Sequence, residues 1–176
     1  VLSQTVLLAK NIQQLGINPE QIAVICNASA WNETLFKSVQ REMEGFYGEV
    51  FTVPPAEDVP GMKKVRGIAK HAGRNSEKIA ANYINGYMGS LVLETAIRRA
   101  LEKNGLVAVI QSGEVIRNEL HRFREFDPLG LAPAIGVRHP DEPFFLNYIR
   151  MVRAKNGRFE EAGDWMPIDR IKGVFE

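Results

Sequence analysis

Residues 1–29 read VLSQTVLLAKNIQQLGINPEQIAVICNAS, and the parsing of this stretch decides the fold. Ser3 can cap a helix in which Leu8, Ile12 and Leu15 recur at i, i+4 and i+7, and Gly16 ends it. Asn18-Pro19-Glu20 is the turn, and residues 22–26, IAVIC, make an all-apolar strand that requires cover on both faces. A helix feeding such a strand is half of a βαβ unit, so the pattern places its other half, a strand, ahead of Val1.

Outward from this unit the same alternation continues. A second helix is expected from about Asn32, with Leu35, Phe36, Val39 and Met43 on one face and Gly45 as its stop. Residues 45–53, GFYGEVFTV, have the aromatic and β-branched content of a strand. PPAEDVPG at 54–61 breaks the pattern, and a helix begins near Pro60 with Met62, Val65, Ile68 and Ala69 inward. The longest helix is expected over about 77–104, striped by Leu93, Ala96, Ile97, Ala100 and Leu101 and closed by Gly105. Residues 106–110 fit a short strand, a helix tail or a buried loop equally well. Ser112 then caps a helix that turns Val115, Ile116, Leu120 and Phe123 inward.

The last third differs. DPLGLAPAIGVRHPDEP at 127–143 is too broken for a central strand and suits an edge or a crossover. Residues 144–155 form a β-prone run, Asn156-Gly157 is a strong hairpin signal, and 158–165 form the return strand. Helical and β-rich stretches in this order suit a chain that visits two sheets, crossing near 53–60 and again near 140–147.

Composition narrows the function. The 176 residues are 45% hydrophobic and 24% charged, with a net charge of +1 and no basic block, so nucleic acid is not implied. The single cysteine, Cys26, excludes an intrachain disulfide and reads as a small core residue. No apolar run is long enough to span a membrane. His71, His121 and His139 lie far apart with no metal-ligand spacing, and no nucleophile elbow or phosphate loop occurs. Gly86-x-x-Gly89 lies inside a helix and reads as packing glycine. The sequence therefore supplies no catalytic residue, metal site or cofactor motif.

One place concentrates binding groups. In open α/β sheets, ligands sit beyond the carboxyl ends of strands, where helix N-termini also point. The carboxyl end of strand 22–26 delivers NASAW, with Asn27, Ser29 and Trp31, and the first helix brings Ser3 to the same rim. These groups suit a small anionic or zwitterionic ligand with an apolar body. Ser3 and Ser29 serve equally as simple helix caps, and Trp31 as a packed hydrophobe. Tyr83 is a further candidate contact, with a hinge or core role as its alternative.

Four stretches in order carry a resemblance: AKNIQQLGI (9–17), EGFYGEVFTVPPAEDVPGMKKV (44–65), NYINGYMGSLVLETAIRRALEKNG (82–105), and FDPLGLAPAIGV (126–137) leading to YIRMVRAKNGRFEEAGDW (148–165). With them the chain resembles the C-terminal half of the branched-chain amino-acid type (type I) of periplasmic substrate-binding protein of ABC transporters. The resemblance implies an α/β fold made of portions of two doubly wound parallel-sheet lobes, with a C-terminal β-hairpin. Residues 1–55 would be the end of the second lobe, 56–143 the end of the first, helical with crossovers, and 144–176 the return to the second. It also implies a non-enzymatic solute receptor, periplasmic or extracellular, although no signal peptide is present in this chain. Its partners would be an amino acid or aromatic acid held between the lobes, a membrane ABC permease, and the missing N-terminal half of the same protein. As a fragment it would be prone to form homo-oligomers. The family's amino-acid receptors carry an acidic residue in the loop matching NASAW; its absence here favours a carboxylate or aromatic ligand without an ammonium group. A ligand-sensing regulator domain of the same bilobed architecture is the alternative, and an α/β enzyme a more distant one.

Overall fold

A computed structural model describes residues 2–18, 21–28, 39, 41–75, 79–137 and 147–168. The first element is helix α1 (Leu2–Gln14), ended where Gly16 adopts φ 66°. Its buried side is Thr5 and Ala9, with Val6 and Ile12 packed beside them, and not the expected Leu8–Ile12–Leu15 face. Leu15 is 74% exposed. The inward stripe is thus turned by about one residue, with Ile12 shared by the expected and observed faces.

Strand β1 (Ile25–Cys26) is shorter than the expected 22–26 and lies at the edge of the sheet among the described strands. Cys26 points into the core, whereas Ile25 is 67% exposed. β1 pairs in parallel with β2 (Tyr47–Val50), bringing Ile25 opposite Tyr47 and Cys26 opposite Gly48. Parallel pairing needs a crossover between the strands. Most of the helix expected there, from Asn32 onward, lies outside the described residues, although Val39 and Met43 are buried as the pattern requires.

Strand β3 (Tyr148–Lys155) joins β2 antiparallel, and β4 (Arg158–Glu161) follows as its hairpin partner. Asn156 and Gly157 both have positive φ, 50° and 73°. Such a turn matches the right-handed twist of its strands, the geometry that an Asn-Gly pair favours. A short β5 (Met166–Pro167) lies against the other end of β3. The sheet is therefore mixed, its parallel pair extended by the antiparallel hairpin. One face is covered by Ala9, Val39, Met43, Phe46, Cys26, Val152 and Ala154, with Phe159 at the margin.

Between β2 and β3 the chain makes a second body of helices. Helix α2 (Pro60–His71) buries Met62, Val65 and Ala69, while Ile68 is turned out. Helix α3 (Ala81–Gln111) is broken at Gly105, where φ is 77° and ψ 166°. The expected stop is thus real, and the chain resumes as a helical tail over 106–111, which resolves the ambiguity of that stretch. The buried stripe of α3 is Ile84, Met88, Val92, Ala96 and Ala100, spaced four apart, and Leu93 is exposed. Among the described residues nothing lies within 4 Å of where a Cβ at Gly86 or Gly89 would stand, so the expected packing role finds no partner there. Helix α4 (Glu114–Leu120) follows, with Ser112 Oγ accepting the Glu114 N–H at 3.2 Å.

The joints between the two bodies are tied by backbone hydrogen bonds. Val53 N–H donates to the Leu131 carbonyl at 2.8 Å, and Gly61 N–H to the Leu129 carbonyl at 2.8 Å. Arg66 donates to the carbonyls of Pro55 and Glu57 at 2.8 and 2.9 Å, fixing the crossover loop on α2. Buried Asn147 donates its side-chain amide to the Gly136 carbonyl at 3.1 Å. Beyond β4, Trp165 packs against the cluster of Val53, Met62, Val65, Ile84 and Leu131, under the Arg150 guanidinium at 4.7 Å.

Candidate functional site

The strongest candidate is the rim at the carboxyl end of β1. Helix α1 precedes β1 in the chain, its Ala9 shares a buried cluster with Cys26, and its first turn begins at Leu2. Ser3 falls inside that first turn. Asn27 follows β1 directly and is exposed. Ser29 and Trp31, the other two expected contacts, lie outside the described residues. Tyr83 sits elsewhere: it is half-buried at the start of α3 and packs against the helical cluster around Met62 and Ile84, with the Arg74 guanidinium 5.4 Å from its ring centroid.

The structure adds a residue to the rim. The Ala28 N–H donates to the Glu49 carboxylate, Oε1, at 3.3 Å. In the β1–β2 register Cys26 lies opposite Gly48, so Glu49 stands beside Asn27. Glu49 is half-buried and has no ion-pair partner among the described residues. A carboxylate has room for about four donors, and the described residues provide one. The signal in the sequence was slight: Glu49 is the one charged residue in the otherwise apolar and aromatic run GFYGEVFTV. It comes to NASAW from the next strand, which spacing along the chain does not reveal.

Among the described residues no group of three His, Cys, Asp or Glu side chains converges to hold a metal ion. His71 ends α2 and His121 follows α4, while His139 lies outside the described residues. The Cys26 thiol is buried, and burial pushes its pKa up. A thiol held protonated is a poor nucleophile. Among the described residues no helix is long and apolar enough to cross a membrane.

A parallel-containing sheet beside a helical body, joined by crossovers, is the type I periplasmic binding fold of ABC-transporter substrate-binding proteins. Particular solved structures share it. A branched-chain amino acid ABC transporter protein from Thermus thermophilus with bound valine matches 93% of this chain at TM-score 0.76 and 20% identity. A substrate-binding protein from Aeropyrum pernix matches 98% at TM-score 0.79 and 18% identity. A fatty acid ABC transporter substrate-binding protein from Thermomonospora curvata matches 94% at TM-score 0.70 and 18% identity. The chain spans 43%, 44% and 41% of the lengths of these three structures. No protein-family model matches the chain. No curated protein matches it either.

Proposed function

We propose that this chain is part of a two-lobed solute-binding protein that captures a small ligand between its lobes and delivers it to a membrane ABC permease, in the periplasm or outside the cell. The observation that carries this reading is the agreement of fold over 93–98% of the chain with several ABC-transporter binding proteins. In this reading the protein binds and releases its solute without chemistry.

Residues 1–55 and 144–176 form one lobe portion and 56–143 the other. The segregation of the buried clusters supports this division: Ala9 to Phe46 with Val152 and Ala154 make one, and Val53 to Leu131 the next. The remainder of the binding protein supplies the opposite wall of the cleft and covers the exposed apolar side of α1 and β1, where Leu7, Leu15 and Ile25 stand. Without it the chain self-associates through that surface. The ligand is amino-acid-like or an aromatic carboxylate, touched by Ser3, Asn27, Ser29 and Trp31. Affinity arises from apolar burial with a few oriented polar groups, and lobe closure is a population shift driven by the ligand.

A thermal-shift screen of the whole encoded protein against amino acids and organic acids tests this. A ligand at a hundred times its Kd adds about 2.7 kcal/mol of stability. A protein that no such compound stabilises does not have this function.

A further inference from the structure

We propose that the outward face of α2 is a docking surface for an anionic lipid membrane. The inference goes beyond the solute-binding reading and does not depend on it. Residues 60–74, PGMKKVRGIAKHAGR, hold five of the chain's 22 basic residues and none of its 21 acidic ones, so the remainder of the chain is net negative. Other residues separate these cations along the sequence, and they form no block there; the helix gathers them. Met62, Val65 and Ala69 fill the buried side of α2. Lys63, Lys64 and Lys70 stand on the exposed side, with Ile68, itself 47% exposed, among them. Arg74 is exposed in the turn that follows, where its N–H donates back to the Ala69 carbonyl at 2.8 Å. Lys63 lies 3.7 Å from the Asp58 carboxylate, both side chains exposed. Lys64 and Lys70 have no ion-pair partner among the described residues.

Helix stability explains only part of this pattern. Lys70 and His71 lie in the last turn, where the macrodipole favours cations. Lys63 closes the first turn, where the dipole disfavours them, and no acidic residue precedes it in that turn. The complement of such a face is anionic, and its residue types choose between a protein and a lipid. Protein interfaces rest on aromatic and arginine anchors and are poor in lysine. Residues 60–74 contain no Phe, Tyr or Trp, and their exposed helical cations are lysines. A lipid surface asks for charge rather than shape, and a basic amphipathic helix is the pattern it attracts. Ile68 adds a shallow apolar contact at the headgroup level. For the receptor proposed above, adsorption confines the search for its permease to the membrane plane.

The test is co-sedimentation of the whole encoded protein with vesicles of phosphatidylcholine, alone or with about 30% phosphatidylglycerol, at about 0.15 M salt. The expected result is binding to the anionic vesicles only, weakened by added salt. Replacing Lys64→Gln and Lys70→Gln together lowers the partition coefficient roughly twentyfold, about fivefold for each lysine. Lys64→Arg with Lys70→Arg keeps the charge and keeps the binding. Lys10→Gln with Lys155→Gln removes the same charge elsewhere and changes the coefficient by less than about threefold. Absent binding to the anionic vesicles, equal binding to both kinds, or equal losses in the two glutamine pairs overturns the proposal. Tighter retention on polyglutamate-coated beads than on the anionic vesicles also overturns it, and gives the face to an acidic protein surface. Unchanged thermal unfolding of the variants establishes that a loss is one of adsorption and not of folding. The solute-binding reading is decided separately, by the ligand screen above.

Discussion

The Glu44 carboxylate accepts the backbone N–H of Asn156 with both oxygens, each at 3.1 Å, across 112 residues of chain. It ties the tip of the β3–β4 hairpin to the segment that leads into β2. The contact is exposed, so its worth is modest. Glu44→Ala is expected to lower stability by about 1 kcal/mol, and Glu44→Gln, which keeps one acceptor, by about half of that. The midpoint of urea unfolding measures both; an unchanged midpoint for Glu44→Ala shows that the hairpin is held without this anchor.

Glycines of this chain fall into two physical classes that a substitution separates. A Cβ at Gly136 would stand 2.5–2.8 Å from the Arg124 backbone. Gly136→Ala is expected to cost about 1–3 kcal/mol, because backbone cannot rotate aside as a side chain does. Gly86 and Gly89 lie inside α3, and among the described residues nothing crowds the place of a Cβ at either. Alanine at either position should stabilise by about 0.4–1 kcal/mol through the unfolded chain's lost freedom. Thermal unfolding of the three single variants checks the opposed signs.

Trp165 joins the hairpin segment to the helical body, packing on the Val53–Leu131 cluster with Arg150 stacked over it. Trp165→Ala should destabilise by about 3 kcal/mol, and Trp165→Phe should restore most of that by keeping an aromatic face for Arg150. Equal losses in both variants, seen in denaturant unfolding, dismiss the stacking as a contributor.

Burial raises the Cys26 pKa, so the folded chain holds its thiol proton more tightly than the unfolded chain does. As pH climbs past the ordinary thiol range, about 8.5, the unfolded state ionises first and stability declines. Below that range the group contributes no pH dependence. Stability measured in urea should therefore fall above about pH 8.5 in wild type and fall less in Cys26→Ala. Iodoacetamide should label Cys26 slowly in the native chain and quickly in denaturant; fast native labelling contradicts the buried thiol.

Much of the fold was legible because its signals are local. Gly105 breaks α3 at the expected position, and Asn156-Gly157 makes the hairpin turn, since both depend on backbone conformations that those residues favour. Helix faces were read less well. In α1 the expected stripe ran through Leu8, Ile12 and Leu15, whereas the buried residues are Thr5 and Ala9; in α3 the expected Ala96 and Ala100 are buried, but Leu93 is exposed. Periodicity locates a face only to within about one residue when leucines flank it on both sides, as Leu7 and Leu8 do here. At the candidate site, Asn27 is legible from its place after an apolar strand, while Glu49, which the fold sets beside it, is not.

What the sequence determined by itself was the succession of elements and the resemblance to a bilobed receptor, because period, glycine and proline act over a few neighbouring residues. Only the tertiary structure brought Glu49 under Ala28, 21 positions away. That meeting depends on the parallel register of β1 and β2, and a register is set by how two strands pack together, not by the composition of either one.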